Sequence, residues 1–242
     1  LSGNFAHNPE PLEANLVELI EKSKSADLGI AVDPDVDRLA LVDENGNYFG
    51  EEYTLVCVSD YVLSKNSGNT VSNLSSSRAL KDLTESYFQN YYASAVGEAH
   101  VVKKMKEVNA VIGGEGNGGV IYPPLHYGRD SLVGIALLLS LMAESNLPLS
   151  KLKEKYSKYE MFKDKIQLDE NINYNNIVDL LTNEYVDENI DLTDGMKIDF
   201  KDSWVQLRKS NTEPIIRIYS EAKSLEEAEK LVLDIKKIIS KQ

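Results

Sequence analysis

The sequence predicts an α/β layer architecture followed by a smaller α+β unit. Three observations carry that expectation. As far as Pro148, short apolar runs alternate with segments of helical spacing. Loops rich in Asp or Gly lie at the ends of the apolar runs. Beyond Pro148 the composition shifts to Lys, Glu, Tyr and Asn, and then alternating strands precede one amphipathic helix.

The elements follow in order. Leu12, Leu16, Leu19 and Ile20 repeat at helical spacing, predicting a helix over 12–24. Leu28 to Val32 is an apolar run expected to form a buried strand, and Leu39 to Val42 another. Between them lies Asp33-Pro34-Asp35-Val36-Asp37-Arg38. Asn45-Gly46, within Asp43 to Asn47, is a turn signature. Helical spacing returns over 51–65, where Cys57 belongs to a core run. A strand is expected over 70–74. Ser75, Ser76 and Ser77 are placed to cap a helix through Leu80, Leu83 and Tyr87. A helix over 98–107 and a strand at 110–112 lead into the glycine-rich segment Gly113 to Gly119. Strand 120–122 follows, and Asp130 opens an apolar helix through Met142. A domain boundary is expected near residue 155. Strands then fall at 196–200, 204–207 and 215–219. Ser224-Leu225-Glu226-Glu227 is a capping box opening a helix with an apolar stripe from Leu225 to Ile239.

Length and composition fit a soluble globular protein of one or two domains: 242 residues, 42% hydrophobic and 27% charged. The formal net charge of −13 argues against nonspecific binding to nucleic acid or to an anionic membrane, which needs a basic surface. An anionic substrate therefore needs a local basic pocket. One cysteine excludes an internal disulfide and a cysteine-based zinc site. No membrane span or signal peptide is visible, so a cytoplasmic protein is expected. The chain opens at Leu1-Ser2-Gly3-Asn4-Phe5, without methionine, and is expected to be a fragment of a longer protein.

Three loops carry chemistry. Asp33, Asp35 and Asp37 concentrate negative charge after an apolar strand, and unpaired buried carboxylates are costly. A small hard cation, Mg²⁺ above all, suits oxygen ligands at this spacing. Arg38 follows with a fork of donors suited to phosphate. In the second loop, glycines let the backbone turn tightly and approach a ligand, with Glu115 and Asn117 as hydroxyl partners for a sugar. In the third, Arg208 to Pro214 joins two strands with a forked cation, two hydroxyls and Asn211. Such a turn makes an anion-binding nest, and Arg217 follows on the next strand.

Together these loops resemble the α-D-phosphohexomutase family: phosphoglucomutase, phosphomannomutase and phosphoglucosamine mutase. Asp33 to Arg38 is similar to the metal loop D-x-D-x-D-R, and Gly114 to Gly119 to the sugar loop G-E-x-[SN]-G-[HG]. Tyr127-Gly128-Arg129-Asp130 resembles the G-R-D before a third-domain helix. Val96-Gly97 with Val101 to Met105 resembles another third-domain segment. Arg208 to Pro214 is similar to the phosphate loop R-x-S-[GN]-T-x-P. The motifs stand in family order over nearly the whole chain.

The resemblance implies the end of a second α/β domain (1–48), a complete third α/β domain (49–155) and a fourth domain (156–242) of TATA-binding-protein-like α+β fold. It implies intramolecular phosphotransfer between the 1- and 6-positions of a hexose or hexosamine phosphate. Mg²⁺ and a hexose 1,6-bisphosphate would take part, with a phosphoserine from a first domain that this chain lacks. Carried over by position, Asp33, Asp35 and Asp37 hold the metal, and Arg38 steadies the reacting phosphoryl group. Glu115 and Asn117 bind sugar hydroxyls. Arg208, Ser210, Asn211, Thr212 and Arg217 hold the other phosphate. The partners implied are a phosphorylated hexose and the missing N-terminal domains.

Two departures matter. In Phe5-Ala6-His7-Asn8-Pro9, Ala6 stands where a nucleophilic serine would be, and His7 is expected to be structural. Gly119 replaces a histidine, a proton carrier, that some members carry; His126 lies nearby as a substitute, but a loop histidine without a partner is more often structural, and the acid–base residue is left unassigned. The G-E-x-N-G-G variant resembles the phosphoglucosamine and phosphomannose branch. Two other readings compete: a phosphosugar-binding module without catalysis, and a metal-dependent phosphatase with an aspartate nucleophile. The third Asp and Arg38 argue against the latter.

Overall fold

The structure is a computed structural model that describes residues 3–167, 173–210 and 213–240. It forms two compact units, residues 1–157 and 158–242. No described helix is long and apolar enough to cross a membrane.

The first unit begins with a short 3-10 turn at Glu13–Asn15 and helix α1 (Val17–Ser23). The expected single helix over 12–24 is thus split, and Leu12 is exposed rather than packed. Strands β1 (Gly29–Val32) and β2 (Leu39–Val42) pair antiparallel, so the Asp-rich segment is the connection of a hairpin. β2 is buried throughout, but β1 is only partly covered and Val32 is exposed. The buried strand expected at 28–32 is therefore an edge strand of a two-stranded ribbon. Asp43 to Asn47 is the turn its sequence indicates: Asp43 Oδ1 accepts from Asn45 N–H and Asn47 N–H, at 2.9 and 2.8 Å.

Next come α2 (Glu51–Lys65), β3 (Thr70–Asn73), α3 (Ala79–Ser86), β4 (Tyr91–Ser94), α4 (Glu98–Glu107), β5 (Ile112–Glu115), β6 (Gly119–Ile121), α5 (Ser131–Ser145) and the short α6 (Leu149–Lys153). The sheet order is β4-β3-β5-β6, parallel except for the antiparallel β5–β6 pair. Successive strand residues face opposite sides of a sheet. On β5, a side chain at Gly113 would meet Met105 of α4, whereas one at Gly114 would meet Leu55 of α2. Helices therefore cover both faces, as a parallel sheet requires. Cys57 is fully buried, and burial pushes its thiol up to about 12. Ser77 Oγ accepts from Ala79 N–H at the start of α3, the capping role expected of that serine run.

The second unit comprises β7 (Glu160–Gln167), α7 (Tyr174–Glu184), β8 (Asn189–Asp191), β9 (Met196–Asp199), β10 (Trp204–Lys209), β11 (Ile215–Ala222) and α8 (Leu225–Ile239). Its antiparallel sheet has the order β7-β11-β10-β9-β8. Ile198, Val205, Leu207, Ile216 and Ile218 pack on Ile177 and Leu181 of α7 and Val232, Ile235 and Ile239 of α8. Ser224 Oγ accepts from Glu227 N–H at 3.3 Å, the cap its sequence signals. Five elements, β4, α6, β7, α7 and β8, have no counterpart in the sequence expectations.

Candidate functional site

The β1–β2 connection is built around Asp33. This residue is buried, and its Oδ1 accepts from Asp37 N–H at 2.9 Å and Arg38 N–H at 3.0 Å. The tight turn places Val36 at φ +61°, a region costly for a β-branched residue. One carboxylate oxygen each from Asp33, Asp35 and Asp37 then lies within 4.8 Å of the others. Burial, together with the neighbouring Asp33 carboxylate, pushes Asp37 up to about 6 against the pull of Arg129. Burial also acts on Asp33, but the hydrogen bond from Arg38 N–H and those from Asp37 outweigh it and hold its carboxyl below the ordinary range. The two carboxyls titrate as a pair.

Asp37 Oδ1 is buried and has no hydrogen-bond partner. An orphaned carboxylate oxygen beside two further carboxylates is a donor set for a hard divalent cation such as Mg²⁺, and the residues present fit it. Arg38 lies half-buried over the loop. Its Nη1 is 3.1 Å from Glu10 Oε1, and its Nε is 3.7 Å from both Asp33 Oδ2 and Asp37 Oδ1, too far for a hydrogen bond.

The glycine-rich segment is a tight hairpin joining β5 and β6 rather than an open loop. Its glycines admit the chain's own atoms. Gly118 sits at φ +84°, its carbonyl accepts from Leu39 N–H at 3.1 Å, and a side chain there would lie 2.3 Å from Leu39 O. A side chain at Gly116 would collide with the Glu52 carboxylate. Asn117 is half-buried, and its Oδ1 accepts from Gly119 N–H at 3.1 Å. Glu115 is buried and accepts from three donors. Oε1 accepts from Asn73 Nδ2 at 2.8 Å and Gly97 N–H at 2.9 Å, while Oε2 accepts from Arg129 Nη1 at 2.9 Å.

Arg129 is the residue that the three-loop scheme left out of the site. Its Nη2 donates to Asp37 Oδ2 in a short ion pair, and its Nε donates to Glu98 Oε2 at 3.2 Å. One guanidinium thus joins the Asp-rich loop, the β5–β6 hairpin and the start of α4. The available signal was Arg129 itself, within the G-R-D phrase just before the N-cap of α5. Asp130 Oδ1 accepts from Leu132 N–H and Val133 N–H, and Asp130 Oδ2 lies 2.9 Å from His126 Nε2. His126 therefore has a partner, and the pair sits at the mouth of the cap. His7 is exposed, its Nδ1 lies 2.8 Å from the Asn8 carbonyl oxygen, and its ring interacts electrostatically with Glu18 of α1.

In the second unit, Arg208 is the penultimate residue of β10 and Arg217 lies on β11. The two are register partners, and Lys165 of β7 is the partner of Arg217 on its other side. Side chains at paired positions share a face, so three cations stand abreast. Arg208 Nε lies 2.9 Å from Asp194 Oδ2 but out of line, leaving that N–H without a hydrogen bond. Arg217 Nη2 is 3.5 Å from Glu213 Oε2. Ser210 N–H donates to Ile215 O at 2.9 Å, and Ser210 Oγ accepts from Glu213 N–H at 3.3 Å. Asn211 and Thr212 lie outside the described residues. Lys165 was not anticipated as part of this group.

The family models for phosphoglucomutase/phosphomannomutase match along the chain in order. Domain II matches residues 1–46, the alpha/beta/alpha domain III matches 50–159, and the C-terminal domain matches 151–238. A phosphoglucomutase/phosphomannomutase of Thermococcus kodakarensis is 41% identical over 241 residues, covering 97% of this chain and 52% of the relative. A phosphoglucosamine/phosphogalactosamine mutase of Sulfurisphaera tokodaii is 34% identical, covering 97% of this chain and 53% of the relative. A crystal structure of a phosphoglucomutase/phosphomannomutase family protein from Burkholderia thailandensis superposes with TM-score 0.81 at 26% identity, over 96% of this chain and 51% of that one. The chain spans about half the length of the relatives it matches.

Proposed function

The chain belongs to the phosphoglucomutase/phosphomannomutase family, and from that membership we propose that it supplies the metal, sugar and distal-phosphate loops of a phosphohexomutase. The reaction is transfer of a phosphoryl group between the 1- and 6-positions of a hexose or hexosamine phosphate. The family resemblance assigns the nucleophile to a phosphoserine outside these residues. The observation that carries the proposal is the buried, unpartnered Asp37 Oδ1 within the three-carboxylate cluster, tied through Arg129 to Glu115 of the hairpin.

Asp33, Asp35 and Asp37 would hold Mg²⁺. When bound, the ion neutralises charge developing on the transferring phosphoryl oxygens. Arg38, held by one hydrogen bond to the exposed Glu10 and by two ion pairs of 3.7 Å to Asp33 and Asp37, would turn its fork toward a phosphoryl group. Asn117 offers an amide on the hairpin to a sugar hydroxyl. Glu115 is committed to three donors, so its action on a hydroxyl would come through the one lone pair that these leave open or by exchange with one of them. Arg208, Arg217 and Ser210 would hold the phosphate that is not reacting, with Asn211 and Thr212 completing that loop. The phosphatase reading is disfavoured: Asp33 is buried and shares its charge with two backbone N–H groups, a poor nucleophile.

Mutase turnover by the full-length gene product, with Mg²⁺ and a hexose 1,6-bisphosphate, tests the proposal. Glucosamine, mannose and glucose 1-phosphates would be compared. Conversion of at least one to its 6-phosphate is expected. No turnover of any from a folded, serine-phosphorylated protein would reject the assignment.

A further inference from the structure

We propose that Arg129 is a positioning residue for the metal. It grips Asp37 by Oδ2, so that Oδ1 is left for the cation, and locks that carboxylate to Glu115 of the sugar hairpin. This rests on the metal reading of the Asp33–Asp37 loop.

A guanidinium presents five N–H donors in a rigid plane. Here its three nitrogens go to three carboxylates from three different elements. Nη2 reaches Asp37 Oδ2, Nη1 reaches Glu115 Oε2 at 2.9 Å, and Nε reaches Glu98 Oε2 at 3.2 Å. Rotating Asp37 to offer Oδ2 elsewhere would break the first contact. A lysine could not hold all three directions at once.

The stem of Arg129 is fixed as firmly as its head. A side chain at Gly119 would lie 2.4 Å from Arg129 Cδ, so the bare glycine is what makes room for the stem. The following residues anchor the segment on both sides. Asp130 N–H donates to Val120 O of β6 at 2.8 Å, and Ser131 N–H donates to Val36 O of the Asp-rich loop at 3.1 Å. The Arg129 side chain is 14% exposed, against 34% for Arg38, so the two arginines near the loop differ in kind. Arg38 has one side-chain hydrogen bond, to the exposed Glu10; Arg129 has three, to Asp37, Glu98 and Glu115. Groups that orient a metal's ligands typically change its affinity by about 10–100-fold when lost.

The test is a Mg²⁺ titration of the 242-residue chain by calorimetry, repeated with Mn²⁺ by electron paramagnetic resonance. Variants are Arg129→Lys and Glu98→Gln, the latter removing the charge of one anchor, and so weakening it, while leaving every proposed ligand and the guanidinium intact. Arg129→Lys should weaken Mg²⁺ binding about 10–100-fold with circular dichroism and cooperative unfolding retained. Glu98→Gln should weaken it several-fold in the same direction. A clamp with a purely structural role would lower stability and leave the affinity of the folded chain unchanged, and that result in Arg129→Lys overturns the inference. If Arg129→Lys does not fold, unchanged affinity in Glu98→Gln overturns it. Absence of binding by the unaltered chain would remove the metal reading itself, and the inference with it.

Discussion

Arg208 and Arg217 stand directly opposite each other on β10 and β11, with Lys165 of β7 next in the same row. Like charges in direct register destabilise a sheet by roughly 0.2–1 kcal/mol. Asp194 and Glu213 offset part of this. A bound anion would offset the remainder, and a ligand that binds only the folded state raises its stability. Millimolar inorganic phosphate is therefore expected to raise the Tm of the chain. Arg208→Ala should abolish the rise and Lys165→Gln should reduce it. An equal rise in wild type and Arg208→Ala would place the anion elsewhere.

Asp35 is the exposed member of the carboxylate cluster. Asp35→Asn should leave stability within about 0.5 kcal/mol of wild type, as surface substitutions usually do, while weakening Mg²⁺ binding at least tenfold. Chemical denaturation and calorimetric titration of the same preparation measure both. Undiminished Mg²⁺ binding would mean that the cluster is not the metal site.

The metal site should also be pH-dependent. The folded-state pKa of Asp37 lies above the ordinary carboxylate value, at about 6. Its proton therefore stabilises the metal-free fold: the contribution is complete below about pH 4 and is lost as pH rises through about 6. Mg²⁺ needs the ionised carboxylate, so its affinity should climb between about pH 5 and 7 and level off above. Titrations in buffers of different ionisation enthalpy should show proton release on binding near pH 5.5 and almost none at pH 8. Equal affinity at both pH values would contradict this account.

Gly118→Ala combines two penalties. The backbone is at φ +84°, and the added methyl would lie 2.3 Å from the Leu39 carbonyl. Strain of this kind costs about 1–3 kcal/mol, and the clash must also part the hairpin from β2. A loss of at least about 2 kcal/mol in urea unfolding is expected, along with weaker Mg²⁺ binding because Leu39 follows the Asp-rich loop. A neutral outcome would mean the hairpin relaxes freely.

Much of the architecture was legible because local and tertiary demands agree. β2, α2, α4, α5 and α8 carry uninterrupted apolar runs or stripes, and Asp130 and Ser224 announce the helices they cap. β7 was missed because its inward positions are Phe162, Asp164 and Ile166. Asp164 faces Lys236 of α8, and a charge in the middle hides the alternation. α7 was missed because Ile177 and Leu181 are its only fully buried side chains among Asn, Thr and Asp. β4 is short and mostly half-exposed.

The sequence by itself determined the chemistry available: three carboxylates at alternate positions, a glycine-rich hairpin with Glu115 and Asn117, and a cationic strand end at Arg208. Side-chain type and spacing are local properties, and they can be read without knowing what lies opposite. Only the tertiary structure decided how these parts are joined. It placed Arg129 among Asp37, Glu98 and Glu115, turned the glycines toward Leu39, Glu52 and Arg129 rather than toward open space, and put Lys165 beside Arg217. Each of these contacts joins residues distant in the chain. Their energy exists only once the sheets have formed, so no local pattern encodes them.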